Sequence, residues 1–216
     1  MKILITRILD GDSPLIAWCN RNNHTLIQEP YISTETVSSS KIPHTDWIFF
    51  TSPKGVKHYL ENNSIIANKI AAIGEGTAKA LNNLGQNPEF IGSSTDTLNV
   101  ARDFKNRIGT ESVLFPIGTK SLKRVQNELD PSQVKEVIVY QTEVQTKDIP
   151  EDLDIIICSS PSNAEGLKLS GIAQIPMIAF GKTTEDYLKS VLGQNKVETL
   201  SAYNDEAIIQ ALERLM

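Results

Sequence analysis

Residues 47–54 read WIFFTSPK, and this stretch decides the fold class of the chain. Its first part, Trp47–Phe50, is a short and continuous apolar run, which is typical of a parallel strand buried on both faces. Pro53 follows after a Thr-Ser pair, and proline is favoured in the first turn of a helix. The stretch therefore predicts a strand, a hydroxyl-rich turn and a helix in direct succession.

The same succession of short apolar runs and helical segments continues along the chain. Strands are predicted at Lys2–Thr6, Thr25–Gln28, Trp47–Thr51, Lys69–Ile73, Glu89–Ile91, Ser112–Phe115, Glu136–Tyr140, Asp154–Cys158, Met177–Phe180 and Lys196–Thr199. Helices are predicted at Pro14–Asn22, Pro53–Asn62, Gly76–Leu84, Thr95–Asn106, Lys120–Leu129, Ser162–Leu169, Thr183–Leu192 and Asp205–Leu215. Strands that alternate with helices in this way predict an α/β fold built on parallel sheets flanked by helices.

The sequence also matches itself at an offset of about 108 residues. The matching pairs are residues 50–53 with 158–161, 72–77 with 179–184, 3–5 with 113–115 and 30–33 with 139–142. Four matches in a chain of 216 residues predict two similar halves, and two similar α/β units usually form a cleft between them. The connections around Glu29–Ser33 and Tyr140–Glu143 are predicted to be hinges.

Composition and charge exclude several classes of protein. The length of 216 residues allows a sizeable core, so neither a disulfide nor a structural metal is needed for stability. A net charge of −5 argues against nonspecific nucleic-acid binding, which needs a basic surface. The apolar runs are too short to span a bilayer, and Arg7, Asp10 and Asp12 interrupt any signal-peptide apolar region.

The cysteines and histidines give no sign of a metal site. Cys19 and Cys158 lie far apart in apolar stretches, and the three histidines are scattered, so no ligand spacing is recognisable. We therefore expect two reduced cysteines in a cytoplasmic protein without a bound metal.

Four predicted helices begin directly after a strand, at residues 51–54, 74–77, 159–162 and 181–184. Such helix starts lie at the carboxyl edge of a parallel sheet, where α/β proteins bind their ligands. Free backbone N–H groups and the helix dipole make them receptors for carboxylates or phosphates, and Ser and Thr hydroxyls add hydrogen-bond donors. The same hydroxyls are explained equally well as helix caps.

Several enzyme motifs are absent from the sequence. Gly74 and Gly76 resemble the start of a dinucleotide fingerprint, but Lys79 stands where the third glycine would be. There is no GxxxxGK[ST] motif, no GxSxG motif and no pair of strand-end carboxylates typical of a glycosidase. The chain offers hydroxyls and backbone amides for chemistry, with no strong acid–base set.

The order and spacing of these motifs resemble uroporphyrinogen-III synthase over essentially the whole chain. The residues that carry the resemblance are Ile5–Arg7, Phe49–Val56, Ala72–Gly74 with Thr77 and Ala78, Val139–Thr142, Ser159–Ser162, and Ala179–Gly181 with Thr183 and Thr184. The resemblance implies two α/β domains that face each other across a cleft and are joined by a two-segment linker. One domain would comprise residues 1–32 and 143–216, and the other residues 33–142.

The resemblance further implies the reaction. The substrate of the family is hydroxymethylbilane, a linear tetrapyrrole with eight carboxylates. Loss of its terminal hydroxyl as water gives an azafulvene, ring D is attacked at its substituted carbon, and a spiro intermediate rearranges to uroporphyrinogen III with ring D inverted. No cofactor and no metal take part. We expect a monomer that binds neither nucleic acid nor a membrane.

Candidate site residues follow from the motif positions. Tyr140 matches the tyrosine of the family's Val-Tyr-Gln-Thr stretch and is the expected proton donor for the leaving hydroxyl, although it could also pack at the hinge. The expected substrate-binding residues are Arg7, Ser52, Lys54, Thr77, Ser160, Thr183 and Thr184. Many family members carry an arginine after the strand that ends near Pro116; Lys120 and Arg124 both stand near that place, and neither is assigned.

A noncatalytic two-domain module that binds a small organic anion is the alternative interpretation. It would share the hinged cleft and the hydroxyl-rich helix starts. The absence of an export signal and the match at Tyr140 favour the enzyme.

Overall fold

The structure is a computed structural model that describes residues 1–38, 41–94, 96–167, 174–191 and 193–216. Strands within these ranges are β1 (Lys2–Ile5), β2 (Thr25–Gln28), β3 (Ile32–Thr36), β4 (Trp47–Phe50), β5 (Lys69–Ala72), β6 (Phe90–Ile91), β7 (Val113–Gly118), β8 (Val134–Val144), β9 (Ile155–Cys158), β10 (Met177–Ala179) and β11 (Val197–Thr199). The α-helices are α1 (Pro14–Arg21), α2 (Pro53–Asn62), α3 (Glu75–Asn82), α4 (Thr97–Ile108), α5 (Pro161–Gly166), α6 (Lys182–Ser190) and α7 (Asp205–Arg214).

The chain divides into two compact units. Unit 1 comprises Met1–Ser33 and Glu143–Met216, and unit 2 comprises Thr34–Thr142. A five-stranded sheet, here sheet A, has the order β2-β1-β9-β10-β11, and its neighbouring strands are all parallel. A six-stranded sheet, here sheet B, has the order β3-β8-β7-β4-β5-β6, and its pairs from β8 to β6 are parallel. The predicted α/β class with parallel sheets is confirmed.

The two sheets repeat one arrangement of five strands. Sheet B without β3 reads β8-β7-β4-β5-β6, and each strand corresponds in position to one of sheet A, which reads β2-β1-β9-β10-β11. The repeat extends to backbone angles: Ser52 and Ser160 begin α2 and α5 with φ −166° in both cases and ψ 155° and 160°. The internal repeat in the sequence therefore reflects a repeat in the fold.

Strand β4 shows why its apolar run is continuous. Trp47 and Phe49 pack with α4 residues on one face of sheet B, whereas Ile48 and Phe50 pack with α2 and α3 on the other. All four side chains are at most 1% exposed. Since each fully buried large apolar side chain contributes about 1.5–3 kcal/mol, helices on both faces hold the sheet firmly.

The segments predicted to be hinges overlap two strands: β3 begins at Ile32, and β8 includes Tyr140–Glu143. Val37 N–H donates to the Val139 carbonyl at 2.9 Å, and Gln145 N–H donates to the Tyr31 carbonyl at 2.9 Å. Residue numbers rise on one strand as they fall on the other, so β3 and β8 pair in antiparallel fashion. Both strands pass from one unit to the other. The hinge role stays a prediction, and mutual hydrogen bonding orders the parts of both segments that lie in β3 and β8.

One predicted helix is absent and others end outside the described residues. Within Lys120–Leu129 the structure contains a 3₁₀ turn at Gln126–Glu128. Lys123 has φ +52°, a left-handed conformation that interrupts a right-handed helix, which explains the error. Thr95, residues 168–169 and Leu192, which belonged to predicted helices, lie outside the described residues.

Candidate active site

Each sheet has one pair of neighbouring strands from which the next strands in sequence lie in opposite directions across the sheet. In sheet A this pair is β1 and β9, and in sheet B it is β7 and β4. A crevice forms outside the carboxyl ends of such a pair of strands, and ligands of α/β proteins bind there. The residues after β1 and β9 are Thr6, Arg7, Ser159 and Ser160, so sheet A presents hydroxyls and one guanidinium at this place.

Ser52 lies at the equivalent edge of sheet B and caps α2. Its Oγ accepts a hydrogen bond from Gly55 N–H at 3.1 Å. A hydroxyl has one donor and two acceptor positions, so the cap leaves the Ser52 O–H proton available to a ligand. Capping and substrate binding are therefore compatible at this residue.

Lys54 is in the first turn of the same helix. A cation is electrostatically disfavoured at a helix N terminus because the dipole is already positive there. The residue is exposed, yet desolvation by nearby protein atoms lowers the pKa of its ammonium group. Lys54 therefore adds charge to a helix end that already attracts anions.

Thr77 and Thr184 occupy equivalent positions in α3 and α6. Their N–H groups donate to the carbonyls of Gly74 and Gly181 at 3.1 and 3.0 Å. The two residues are only 2% and 4% exposed, so they form the inner wall of the helix starts. Thr183, the neighbour of Thr184, is half-buried.

Gly181 cannot readily be replaced at the start of α6. Its φ of +143° is rarely adopted by residues with a side chain, and an added Cβ would lie 2.5 Å from the Tyr203 hydroxyl oxygen. The glycine therefore lets the aromatic ring approach this helix end.

Tyr140 lies on β8, in register with Gly118 at the end of β7. The register shifts between Ile117 and Gly118, which inserts one extra residue into β8. Such bulges re-aim side chains and are frequent beside active sites. The Tyr140 ring covers Gly118 so closely that an added Cβ would lie 2.4 Å from the Tyr140 Cε2 atom. The half-buried ring is thus fixed beside the carboxyl edge of sheet B.

His58 also packs against this ring. The ring centroids of His58 and Tyr140 are 5.0 Å apart with an interplanar angle of 25°, which is a stacked arrangement. His58 Nδ1 and Nε2 lie 2.6 and 2.9 Å from the hydroxyl oxygens of Thr36 and Thr34. Burial, which is the largest effect, lowers the pKa of His58 although Glu61 opposes the shift.

Arg7 is held by two contacts in unit 1. Its guanidinium carbon lies 4.5 Å from the centre of the Phe180 ring, and its Nη2 lies 3.3 Å from Asp205 Oδ1. Burial lowers its pKa, and the Coulombic attraction of Asp205 and Asp10 acts in the opposite direction. A guanidinium has five N–H donors, so one ion pair leaves capacity for a substrate carboxylate.

Ser160 belongs to a hydrogen-bond network at the β1–β9 edge. Its Oγ accepts from Asn163 N–H at 3.2 Å and from Asn163 Nδ2 at 3.0 Å. Asn163 Nδ2 also donates to Ser159 Oγ, which lies 3.0 Å from Thr6 Oγ1. Asn163 Oδ1 accepts from Tyr31 N–H at 2.8 Å, so the network connects the β1–β9 edge to the segment between β2 and β3.

The predicted site residues fall into two groups. Unit 2 brings together Ser52, Lys54, Thr77 and Tyr140 at the carboxyl edge of sheet B, and unit 1 brings together Arg7, Ser160, Thr183 and Thr184 at that of sheet A. The sequence interpretation missed His58, Gly118 and Asn163. His58 and Gly118 contact Tyr140 across a long separation in sequence, and Asn163 joins the nearby Ser160 to the distant Tyr31. Two local signals were present: the Thr34–Thr36 spacing, which places both side chains on one face of a strand, and the spacing of Ser160 and Asn163 at a helix start.

No cluster of three or more histidine, cysteine or acidic residues capable of holding a metal ion occurs in the part of the chain that the structure describes. Both cysteines are buried and reduced, and burial raises the pKa of the Cys158 thiol to about 12. Among the described helices, none is both long enough and apolar enough to cross a bilayer.

Two units, each with a largely parallel sheet that carries hydroxyls, amides and cations at its carboxyl edge, define the class as a two-unit α/β protein. A family model described as uroporphyrinogen-III synthase HemD matches residues 14–211. The chain belongs to this family. It is accordingly an enzyme that cyclises hydroxymethylbilane, with loss of water and inversion of ring D, to uroporphyrinogen III in heme biosynthesis.

Solved structures agree in fold. Uroporphyrinogen-III synthetase from Helicobacter pylori is 17% identical, with a TM-score of 0.71 over 100% of this chain and 99% of that chain. A mutant uroporphyrinogen III synthase from the extremely thermophilic bacterium Thermus thermophilus is 16% identical, with a TM-score of 0.58 over 99% of this chain and 98% of that chain. No curated protein sequence matches the chain.

Proposed function

We propose that Tyr140 donates the proton that lets the substrate hydroxyl leave as water, and that the helix starts of both sheets bind substrate carboxylates. The observation that carries the proposal is the state of the Tyr140 side chain. Its ring is fixed by Gly118 and His58, whereas no described residue forms a hydrogen bond with its hydroxyl. A tyrosine whose ring position is fixed and whose hydroxyl is not engaged by the described residues suits proton transfer to a ligand.

The chemistry requires little beyond this donor. A phenol keeps its proton at neutral pH, and it can share that proton with the leaving oxygen as the carbon–oxygen bond breaks. The electron pair of that bond leaves with the oxygen, and water departs. The cationic azafulvene that remains then reacts according to how the enzyme holds the chain, because orientation selects the ring D carbon that is attacked.

Carboxylate binding is assigned to five residues. Ser52 and Ser160 retain a hydroxyl proton beyond their capping bonds, and Lys54 and Arg7 supply charge. Thr183 is half-buried beside the α6 N terminus and completes the group. Thr77 and Thr184 are buried, so we assign them to supporting these helix starts from within.

The test is the isomer ratio and rate with hydroxymethylbilane. The wild-type protein should yield the type III isomer, whereas the uncatalysed reaction yields type I. Tyr140→Phe should lower kcat by about tenfold to a hundredfold, the usual contribution of a general acid, with little change in KM. Tyr187→Phe, on α6 of unit 1, is the matched control and should leave kcat unchanged. An unchanged kcat in Tyr140→Phe would remove this residue from proton transfer.

We also propose that units 1 and 2 correspond to the two domains of the enzyme. A cleft between them, a monomeric state and a cytoplasmic location remain predictions from the sequence and the resemblance. Sedimentation equilibrium measures the oligomeric state, and a dimer at micromolar concentration would contradict the monomer.

A further inference from the structure

We propose that His58 is a positioning residue, which holds the Tyr140 ring in the orientation that proton donation requires. The inference rests on the proposed role of Tyr140 and extends it to a second side chain. It starts from the stack between the two rings, whose centroids are 5.0 Å apart. Aromatic pairs in this geometry attract each other beyond the effect of burial alone, which favours one ring orientation.

The hydrogen bonds of His58 fix its ring in turn. Thr36 Oγ1 donates its single proton to Glu61 Oε2, so this hydroxyl accepts from His58 Nδ1–H. The neutral ring then accepts from the Thr34 hydroxyl at Nε2. Both ring nitrogens are satisfied, and His58 is 4% exposed, so its ring has little freedom to rotate.

Three elements meet at this point, and each contributes to the placement of Tyr140. His58 and Glu61 lie on one face of α2 at a spacing of three residues. Thr34 and Thr36 lie on one face of β3, which pairs with β8, the strand that carries Tyr140. Gly118 of β7, which has no side chain, leaves room for the ring. His58 therefore connects the ring to α2, the helix that Ser52 caps and that carries Lys54 in its first turn.

The kinetic test is a double-mutant cycle with Tyr140→Phe. His58→Gln keeps a polar side chain for the threonine hydroxyls and removes the aromatic face. We expect kcat to fall about tenfold and KM to stay within about twofold, since misplacing a catalytic group by a fraction of an ångström affects turnover more than binding. In the Tyr140→Phe background, His58→Gln should cause no further loss of kcat. His24→Gln, in unit 1, is the matched control and should retain wild-type kinetics.

The outcomes separate this inference from the proposed function. An unchanged kcat in Tyr140→Phe rejects the proton donor itself. If kcat falls in Tyr140→Phe but stays at the wild-type value in His58→Gln, the inference alone is overturned. It is also overturned if the two losses of kcat multiply in the double variant, because His58 would then act independently of Tyr140.

A spectroscopic measurement tests the stack without any assay. The protein is labelled with 3-fluorotyrosine, and the Tyr140 resonance is assigned by its absence in Tyr140→Phe. Loss of the imidazole ring current should shift this resonance in His58→Gln, whereas His24→Gln should not move it. His58→Phe, which retains an aromatic face, should keep the resonance closer to wild type and serves if His58→Gln folds poorly. A resonance that does not respond to His58→Gln overturns the inference.

Discussion

At the scale of single residues, the Tyr140 ring occupies the space that a side chain at position 118 would need. An alanine Cβ at position 118 would lie 2.4 Å from Tyr140 Cε2 and 2.9 Å from the Tyr140 hydroxyl oxygen. Gly118→Ala must therefore displace the ring, and we expect kcat to fall by about tenfold or more. Overpacking should also lower the free energy of unfolding by about 1–3 kcal/mol. Gly11→Ala, where nothing lies within 4 Å of the new Cβ, is the control. Full activity in Gly118→Ala would show that the ring position is unimportant.

A second prediction at this scale concerns pH and the buried His58. Burial lowers its pKa below the ordinary value of about 6.5, although Glu61 raises it and Lys57 and Lys54 lower it further. As pH falls below about 6.5, the unfolded chain takes up a proton at this residue before the folded protein does, so the free energy of unfolding decreases. His58→Gln should make stability less dependent on pH between about 7.5 and about 5.5 in urea titrations. Equal slopes for both proteins would contradict the prediction.

The sequence could indicate some of these residues and had no means of indicating others. Ser52 and Pro53 indicate a helix start by their types and order alone. The pairing of His58 with Tyr140 joins residues 82 positions apart on different elements, so no local pattern contains it. Tyr140 was selected through the resemblance, and its packing against Gly118 depends on a bulge that only strand register reveals.

At the scale of elements, the start of α2 allows capping and substrate binding to be separated. Ser52→Ala removes the bond accepted from Gly55 N–H and should cost about 0.5–2 kcal/mol of stability. Ser52→Asp keeps a cap and a favourable charge at the helix N terminus, so stability should be retained. Its carboxylate would repel the substrate, and we expect KM to rise about tenfold or more.

Urea unfolding and steady-state kinetics measure the two effects of Ser52. Asp96→Ala is the control, because Asp96 caps α4 after β6, the edge strand of sheet B that β5 separates from β4. This variant should lose stability and keep its KM. An unaltered KM in Ser52→Asp would leave Ser52 with a capping role alone.

The elements also show where sequence reasoning ends. Ten strands were predicted at or near their observed positions, because short apolar runs between helices mark buried parallel strands. Strand β3 was not, since its sequence ISTET is polar and its order depends on pairing with β8. The polar end of β8 beyond Tyr140 was missed for the same reason. Long-range pairing, which local composition does not encode, accounts for these differences.

At the scale of the whole molecule, the repeated strand order explains why the sequence matches itself at an offset of about 108 residues. Unit 2 contains its five common strands in one continuous stretch, from β4 to β8, whereas unit 1 begins with β1 and β2 and resumes with β9. The strand pairs β1–β9 and β7–β4 occupy the same place in the two sheets. The hydroxyl-bearing turns consequently recur at equivalent edges, which suits a substrate with carboxylates along its length.

Charge is divided unequally between the units. Unit 2 holds 12 lysines and arginines and 11 acidic residues, a formal charge of +1, whereas unit 1 holds 9 and 15, a charge of −6. A substrate with eight carboxylates is repelled at long range by the net charge of −5, although local groups attract it on contact. The range of this repulsion is about 30 Å at 0.01 M salt and about 8 Å at 0.15 M.

We therefore expect kcat/KM to rise as ionic strength increases from about 0.01 M to about 0.15 M, while kcat stays constant. The paired substitution Glu151→Gln and Asp152→Asn should raise kcat/KM in low salt and have little effect in high salt. Both residues are exposed and lie just before β9, at the end of the strand away from its carboxyl edge, so they act through the field alone. Glu89→Gln, a single exposed site in unit 2, should have a smaller effect. A steady fall of kcat/KM with added salt would mean that attraction by Arg7 and Lys54 outweighs the net charge even at a distance.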